Sequence, residues 1–438
     1  MAGTAAADAT GSAAAVASAV AEAHRREWAF VLAATVRVTR DLDLAEECVQ
    51  DAYAKALTAW ASQGVPANPG AWLTTVAKRR ALDLLRRGAT LRRALPLLVD
   101  DPVEPEPDRG PAHEAAPHEI ADDRLRLIFT CCHPAIAPEA RVALALRLLC
   151  GLSTAEVARA FLVKETTMAA RITRAKKKIA AARIPYRVPP AGELPARVDA
   201  VLEVVHLLFA TGHTAPAGED LVRRDLVERS LDLARMLRVL LPEDAGVAGL
   251  LALILLTDAR RAARVAEDGR LVLLADQDRT RWDRGAIAEG TSLVREALAR
   301  RPPGRFALMA AISAVHSEAP THGETDWGEV VALYDLLVRL WPSPVVALNR
   351  AVALGFAEGP AAGLAALDAL ACEPQLAGYG YMAAARADFL GRLGRVAEAR
   401  ACYEEALLLT ENAVERGFLA ARLRQLSARE AAADIDPV

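Results

Sequence analysis

Residues 151–184 read GLSTAEVARAFLVKETTMAARITRAKKKIAAARI, the pattern of two helices joined by a short turn. Ser153 and Glu156 have the spacing of a capping box, so a first helix should start near Ser153. The apolar residues 161–163 supply the turn, and a second helix should run over about 165–183. Its buried stripe is predicted to consist of Met168, Ile172, Ala175 and Ile179.

The second helix is strongly basic. Between Lys164 and Arg187 the chain holds eight basic side chains and the single acid Glu165. Cations suit DNA phosphates, whereas small and polar residues near a helix N-terminus can face base edges, as in helix-turn-helix DNA readers. A DNA-binding role is therefore expected for Thr166, Thr167, Ala169, Ala170, Arg171, Thr173, Arg174, Lys176, Lys177 and Lys178. From this segment alone, an ordinary solvated basic helix is the alternative.

The whole chain is predicted to be all-α. Of its 438 residues, 53% are hydrophobic but only 5% are aromatic, and the abundant Ala and Leu favour helix. Residues 1–188 hold 26 Lys and Arg against 21 Asp and Glu, whereas the rest of the chain holds 27 against 35. A basic front and an acidic back indicate different partners, with nucleic acid the first candidate for the front.

The sequence divides into five segments. Residues 1–12 are expected to be a disordered tail, and residues 13–87 to form three helices. Residues 88–118 contain VDDPVEPEPDRGPAHEAAP, whose proline and acid content indicates a linker. Residues 119–188 form a second helical unit that includes the opening stretch, and residues 189–430 form a long helical region.

The opening stretch resembles domain four of a bacterial RNA polymerase sigma factor, the part that reads the minus-thirty-five element. The resemblance is carried by Ser153, Glu156, Val157, Ala158, Thr167, Arg171, Arg174, Ala175 and Lys177. Lys164 departs from the pattern, because a capping serine is usual there, and Ala169 and Ala170 replace polar residues. The resemblance implies a helix-turn-helix that binds promoter DNA and the β flap of core polymerase.

Residues 41–60, DLDLAEECVQDAYAKALTAW, resemble the clamp-binding helix in the helical bundle of sigma domain two. Its apolar positions are expected inside: Leu44, Val49, Ala52, Ala56 and Leu57. This leaves an acidic face available to a basic partner, which the resemblance identifies as the β′ clamp of core polymerase. The core-binding residues it implies are Glu46, Glu47, Gln50 and Asp51. Without the resemblance, these would be ordinary solvated side chains.

Residues 71–87, AWLTTVAKRRALDLLRR, resemble the helix that melts and holds the minus-ten element. Strand opening needs cations on the backbone and a pocket for an unstacked base, which loop 62–70 could supply. The DNA-binding residues expected here are Trp72, Lys78, Arg79, Arg80, Arg86 and Arg87. For Trp72, a place in the core is the favoured alternative. The resemblance implies that the acidic linker runs through the polymerase towards the RNA exit path. A plain flexible tether between the two helical units is an equally good interpretation of the linker.

The C-terminal region shows a weak repeat. ARADFLGRLGRVAEARACYEEALLL (385–409) places Ala387, Ala399, Tyr403 and Ala406 like the packing residues of a tetratricopeptide repeat. Tyr334 lies 69 residues before Tyr403, close to twice the period of that repeat. A tetratricopeptide-like (TPR-like) helical solenoid is predicted, with an irregular helical bundle as the alternative.

Nearly the full chain resembles one subgroup, the extracytoplasmic-function (ECF) type sigma factors with a C-terminal tetratricopeptide-like extension. The resemblance is carried by residues 127–149, by ADQDRTRWDR (275–284) and by SPVVALNRAVAL (343–354). It implies that the extension, rather than a membrane anti-sigma factor, controls activity through the sigma domains or through another protein partner. The acidic extension could cover the basic DNA-binding faces as an intramolecular brake.

No catalytic residue, cofactor or metal site is predicted. Residues 276–284 are interpreted as a structural network, with a ligand site as the alternative. Cys131-Cys132-His133 lacks the further ligands of a zinc site. Cysteines without a disulfide framework suit a reducing cytoplasm, and no membrane-spanning run occurs. The sequence thus predicts a cytoplasmic, non-enzymatic alternative sigma factor. The alternatives are a helix-turn-helix regulator with a TPR-type sensor that does not bind polymerase, and a TPR scaffold with an incidental basic helix.

Overall fold

The computed structural model describes residues 2–94, 117–161 and 163–435, and among these the side chains of 15–87, 123–159, 161 and 163–428. The described residues are mostly α-helical, with strands only at two residue pairs. The all-α prediction is therefore confirmed. The chain divides into two compact units, Met1–Val204 and Val205–Val438, called here unit 1 and unit 2.

Unit 1 begins with three helices that pack against one another: α1 (Ala2–Thr39), α2 (Leu42–Gln63) and α3 (Pro69–Ala94). Asp41 caps α2, because its Oδ1 accepts hydrogen bonds from the backbone N–H of Asp43 and Leu44 at 2.8 and 2.9 Å. Helix α1 starts inside the segment expected to be a disordered tail, which the helix propensity of its alanines explains. Helix α3 continues into the expected linker, most of which lies outside the described residues.

The second half of unit 1 contains the predicted helix pair. The helices are α4 (Pro117–Cys131), α5 (Pro138–Leu144), a π-helical turn (Ala145–Leu149), α6 (Thr154–Ala160) and α7 (Glu165–Ala181). The capping box is present, since Glu156 N–H donates to Ser153 Oγ (3.2 Å) and Ser153 N–H donates to Glu156 Oε2 (2.7 Å). The predicted stripe of α7 is buried, and α7 packs on α5 and α6.

Helix α8 (Leu194–His213) contains the boundary between the units. Unit 2 continues with α9 (Arg224–Leu240), α10 (Ala245–Asp258), α11 (Arg284–Ala299), α12 (Arg305–Glu318), α13 (Trp327–Leu340), α14 (Pro344–Ala357), α15 (Pro360–Asp368), α16 (Gly380–Arg392), α17 (Val396–Leu409) and α18 (Ala413–Ile435). Helices adjacent in sequence pack on each other, as in a solenoid of helix pairs. Helices α14 to α18 share one hydrophobic core cluster. It includes the four predicted packing residues, Ala387, Ala399, Tyr403 and Ala406.

Two short strands join distant parts of unit 2. Strand β1 (Ala217–Gly218) pairs in parallel with β2 (Glu411–Asn412). The Asn412 side chain is fully buried, and its Nδ2 donates to the backbone oxygens of Ala215 (3.0 Å) and Asp220 (2.9 Å). Asn412 therefore ties the residues after α8 to the residues before the last helix.

None of the helices in the described ranges is both long and apolar enough to cross a membrane. The most apolar helix, α10, has ten buried residues in succession from Val247 to Leu256 and packs against α9, α11 and α12. Its hydrophobicity therefore follows from its central place in unit 2.

We predict that Asn412→Ala destabilises unit 2. The substitution removes the two hydrogen bonds that Nδ2 donates to the Ala215 and Asp220 oxygens. It also removes the two that Oδ1 accepts from the N–H groups of Val414 and Glu415. Together these losses should cost about 2–4 kcal/mol in the free energy of unfolding. Urea unfolding of the full chain and hydrogen exchange over residues 215–220 measure the effect. Glu411→Ala is the matched control, since Glu411 is exposed on the same strand. Equal effects of the two substitutions would contradict this prediction.

Candidate nucleic-acid and polymerase interface

Helix α7 presents its two halves differently to solvent. The first turns expose Thr166, Thr167, Ala169 and Ala170. The later turns expose Thr173, Arg174, Lys177 and Lys178. Arg171 is half-buried, with its guanidinium 5.5 Å from the centre of the Phe161 ring. The helix thus offers small and polar groups near its N-terminus and cations beyond them, the arrangement that major-groove reading uses.

Lys176 differs from its neighbours because its side chain is only 12% exposed. Its Nζ lies 2.6 Å from Asp43 Oδ1 and also forms an ion pair with Glu46. Burial by itself lowers the pKa of Lys176, but the carboxylates of Glu46 and Asp43 outweigh burial and raise that pKa above its ordinary value. Lys176 is therefore charged at neutral pH and engaged by α2.

The four residues expected to bind polymerase lie in three different environments. Glu47 and Gln50 are exposed, as expected. Asp51 is half-buried and accepts a hydrogen bond from Arg80 Nε at 2.8 Å. Glu46 is only 5% exposed and lies between Lys176 and Arg147, whose Nε is 2.9 Å from Glu46 Oε1.

The prediction of an open acidic face is therefore wrong for Glu46 in this structure. The physical reason is that the π-helical turn and α7 cover the first turns of α2, and their cations pair with this carboxylate. The predicted inward set also needs correction: Val49, Ala52 and Ala56 are fully buried, but Leu44 is half-buried and Leu57 is 47% exposed.

Helix α3 exposes three of the predicted DNA-binding arginines, Arg79, Arg86 and Arg87. Lys78 and Arg80 are half-buried, and Arg80 pairs with Asp51. The Trp72 ring is half-buried and meets Trp60 edge-on at 5.7 Å between ring centres, which supports the core alternative for Trp72.

Cys131 and Cys132 are part of the core, whereas His133 is half-buried. Both thiols are buried, and burial raises the pKa of Cys132 to about 12 and that of Cys131 well above its ordinary value. His133 Nδ1 accepts a hydrogen bond from Ala135 N–H at 3.1 Å. Within the part of the chain that the structure describes, no three His, Cys, Asp or Glu side chains are grouped to hold a metal ion.

Side chains of residues 276–284 make hydrogen bonds and a cation–π contact at a helix junction. Arg279 Nη1 donates to the backbone oxygens of His316 (2.8 Å) and Ala319 (2.7 Å) at the end of α12, and its guanidinium lies 4.3 Å from the Trp282 ring centre. Asp283 caps α11 by accepting from Ala286 N–H at 2.9 Å. These side chains connect α11 to the C-terminus of α12.

Comparison with known protein families agrees with this geometry. Residues 24–90 match the sigma-70 region 2 family, residues 126–179 match the sigma-70 region 4 family, and residues 197–298 match a family of unknown function (DUF6596). The chain belongs to the RNA polymerase sigma factors. Its two sigma regions have ECF-like spacing and are followed by an extension. The sigma-70 regions imply binding to core RNA polymerase and promoter DNA, and their families are initiation factors and not enzymes.

A curated relative spans nearly the same length. The chain is 41% identical over 402 residues to "Uncharacterized protein R00370" of Rhizobium meliloti (strain 1021), covering 91% of this chain and 94% of that protein. The sigma regions and the extension therefore recur together in one polypeptide.

Sequence reasoning did not identify Trp28, Tyr186 or Arg147, which join the two sigma regions within unit 1. Trp28 Nε1 donates to the Leu148 oxygen at 3.1 Å, the Tyr186 hydroxyl donates to the Ala33 oxygen at 2.9 Å, and Arg147 pairs with Glu46. Each contacts a residue at least 63 positions away along the chain, so no local pattern marks it. Arg147 offered only a weak signal, as a lone cation among apolar residues in ALALRLL.

We predict that Ser153→Ala destabilises the helix pair of the DNA-binding part. The substitution removes one half of the capping box and should cost about 1 kcal/mol in the free energy of unfolding. Hydrogen exchange of α6 measures the loss. Thr154→Ala is the control, since it removes a neighbouring hydroxyl and keeps the capping box. If α6 exchanges at the same rate in both variants, the capping box does not stabilise this helix.

Proposed function

We propose that this sigma factor is an alternative, ECF-type sigma factor of the cytoplasm. It directs core polymerase to specific promoters and initiates transcription, and its C-terminal helical-repeat extension controls its activity. The observation that carries the proposal is the combination of regions 2 and 4 on one chain with an α7 helix whose exposed face divides into polar and cationic parts.

Region 2 supplies polymerase binding and strand opening in this proposal. Glu47, Gln50 and Asp51 of α2 contact the β′ clamp, whose basic surface complements the charge of the two acids. Glu46 is left out of this set because it is buried between Arg147 and Lys176. Cations of α3 hold the minus-ten strands, and the exposed positions of Arg79, Arg86 and Arg87 support this role. Residues 13–87 form this functional part.

Region 4 supplies the second promoter contact. Residues 119–188 bind the minus-thirty-five element and the β flap, and residues 88–118 connect the two parts. The threonines of α7 face base edges and its later cations grip phosphates. The extension over 189–430 is TPR-like and acts on the sigma domains or on a separate protein partner. The buried small and aromatic packing residues of its last helices support a repeat architecture.

Run-off transcription tests the proposal. Core polymerase is combined with the full chain or with residues 1–204, on genomic fragments from the source organism. We expect transcripts from a defined start site only when the protein is present. The difference in transcript yield between the full chain and residues 1–204 shows whether the extension activates or inhibits. Absence of transcripts together with absence of a complex between the full chain and core polymerase would favour a helix-turn-helix regulator with a repeat-type sensor.

We predict that Arg174→Ala and Lys177→Ala weaken promoter binding by removing phosphate contacts. Each lost contact should reduce the slope of log affinity against log salt concentration by about 1, with little change in sequence preference. Fluorescence anisotropy of the holoenzyme on a promoter fragment at several salt concentrations measures the slope. Arg187→Ala is the control, since Arg187 is exposed but lies outside α7. If the slope changes equally in all three variants, the change is explained by the lost charge alone. The assignment of phosphate contacts to Arg174 and Lys177 would then be wrong.

A further inference from the structure

Three arginines of unit 2 lie near one another, Arg260 and Arg264 after α10 and Arg279 before α11. The backbone brings the two segments together, because the Asp283 N–H donates to the Ala259 carbonyl oxygen at 2.9 Å. All three arginines are half-buried, so each keeps part of its surface in contact with solvent. We call Arg260, Arg264 and Arg279 the arginine cluster.

Two guanidinium groups of the arginine cluster are held by neutral oxygens. Arg264 donates to the His213 carbonyl oxygen and, at 3.0 Å, to Thr214 Oγ1. Arg279 Nη1 donates to two carbonyl oxygens at the end of α12, at 2.8 and 2.7 Å. These acceptors fix the positions of the two side chains, but they carry no charge that would neutralise the guanidinium groups.

The acids around the arginine cluster are engaged elsewhere. In the part of the chain that the structure describes, no carboxylate forms an ion pair with any of the three arginines. The nearby carboxylates each have a partner outside the cluster: Asp258 pairs with Arg261, Glu415 accepts a hydrogen bond from Tyr381, and Glu324 accepts one from Thr321. The positive charge of the cluster is therefore not neutralised locally, although the C-terminal part of the chain is acidic overall, with 27 Lys and Arg against 35 Asp and Glu.

Arg260 has neither an ion pair nor a hydrogen bond to any described residue, whereas its neighbour Arg261 pairs with Asp258 at 2.7 Å. Burial, and then the charges of Arg264 and Arg279, lower the pKa of Arg260 to about 10. Arg260 is thus still charged at neutral pH. A charged group that is partly withdrawn from water destabilises the fold unless a counter-charge pairs with it.

Two buried polar atoms beside Arg260 also lack partners. Arg279 Nη2 and His316 Nδ1 are both buried, and neither has a hydrogen-bond partner among the described residues. Burial, and then the charges of Arg260, His322 and Arg279, lower the pKa of His316 to about 4, so its imidazole is neutral at pH 7. Since most buried polar atoms in proteins are paired, this site combines unpaired polar atoms with uncompensated positive charge.

We propose that the arginine cluster binds a small oxyanion, a ligand that carries a phosphate or a carboxylate group. Guanidinium groups donate hydrogen bonds in the planar arrangement that both of these groups accept. Arg260 contributes its unpaired guanidinium, Arg279 contributes its unpaired Nη2, and Arg264 contributes positive charge. The inference deepens the proposed control by the extension, and in that respect rests on the proposed function, because it gives this control a chemical signal.

Isothermal titration calorimetry of the full chain tests the proposal. Inorganic phosphate and citrate are the two probes, in a HEPES–chloride buffer at constant ionic strength. We expect a single saturable site per chain, and the probe that binds more tightly shows whether the ligand carries a phosphate or a carboxylate. Arg260→Gln should weaken binding of that probe about tenfold or more, because it removes the unpaired guanidinium.

Two further variants separate a specific site from a general effect of charge. Arg295→Gln is the matched control, since it removes the same charge from an exposed position of α11 in the same unit. This variant should bind both probes like the wild type. Arg260→Lys keeps the charge but loses the planar group of donors, and it should weaken binding about threefold.

Thermal unfolding gives a readout that does not need a ligand. The charges of Arg264 and Arg279 repel that of Arg260, so Arg260→Gln should raise the melting temperature in chloride buffer by about 2 °C. The same measurement shows that the variant is folded. Addition of the tighter probe should then raise the melting temperature of the wild type more than that of Arg260→Gln.

The possible outcomes distinguish the anion site from the proposed function. Absence of saturable binding of both probes, or equal binding by the wild type and Arg260→Gln, would overturn the proposal. A melting temperature of Arg260→Gln below that of the wild type in chloride buffer would also overturn it, because Arg260 would then stabilise the fold without a ligand. None of these measurements uses polymerase. Failure of run-off transcription would therefore overturn the proposed function and leave the anion site in place.

Discussion

A carboxylate buried inside a protein must be paired with cations, and in unit 1 this constraint joins the two DNA-binding parts. Glu46 is enclosed where α2 meets the π-helical turn and α7, and Arg147 and Lys176 neutralise it there. Removing one partner would leave an unpaired charge in a desolvated site. The arrangement is therefore specific to one docking of region 4 on region 2, and it determines which charged groups the free protein shows to its partners.

The extension relies on a related use of charge. Arginines satisfy carbonyl groups at helix ends: Arg279 donates to the last residues of α12, and Arg416 donates to the Leu407 and Thr410 oxygens (2.6 and 2.9 Å) at the end of α17. Cations at helix C-termini also complement the helix dipole. The charged motif at 276–284 thus has a role in joining helices, which the irregular connection between α10 and α11 requires.

Local features of the chain could be predicted from its sequence, but contacts between distant segments could not. The helix pair, its capping box at Ser153 and its buried stripe from Met168 to Ile179 depend on spacing within a few residues. The burial of Glu46 cannot be predicted in this way, because it depends on Lys176, 130 residues away, whose charge indicates only solvent or DNA. Likewise, nothing near Asn412 shows that its amide reaches back to Ala215. Alanine propensity explains the helix that replaces the expected N-terminal tail.

The central claim is that one chain carries two promoter-reading parts that bind one promoter together when the chain is part of the holoenzyme. Hydroxyl-radical footprinting on a fragment that supports run-off transcription tests it most directly. The account predicts that the holoenzyme protects two segments separated by two to three helical turns of DNA, roughly 25 base pairs. Protection of a single segment, or of neither segment, by the holoenzyme would contradict the account.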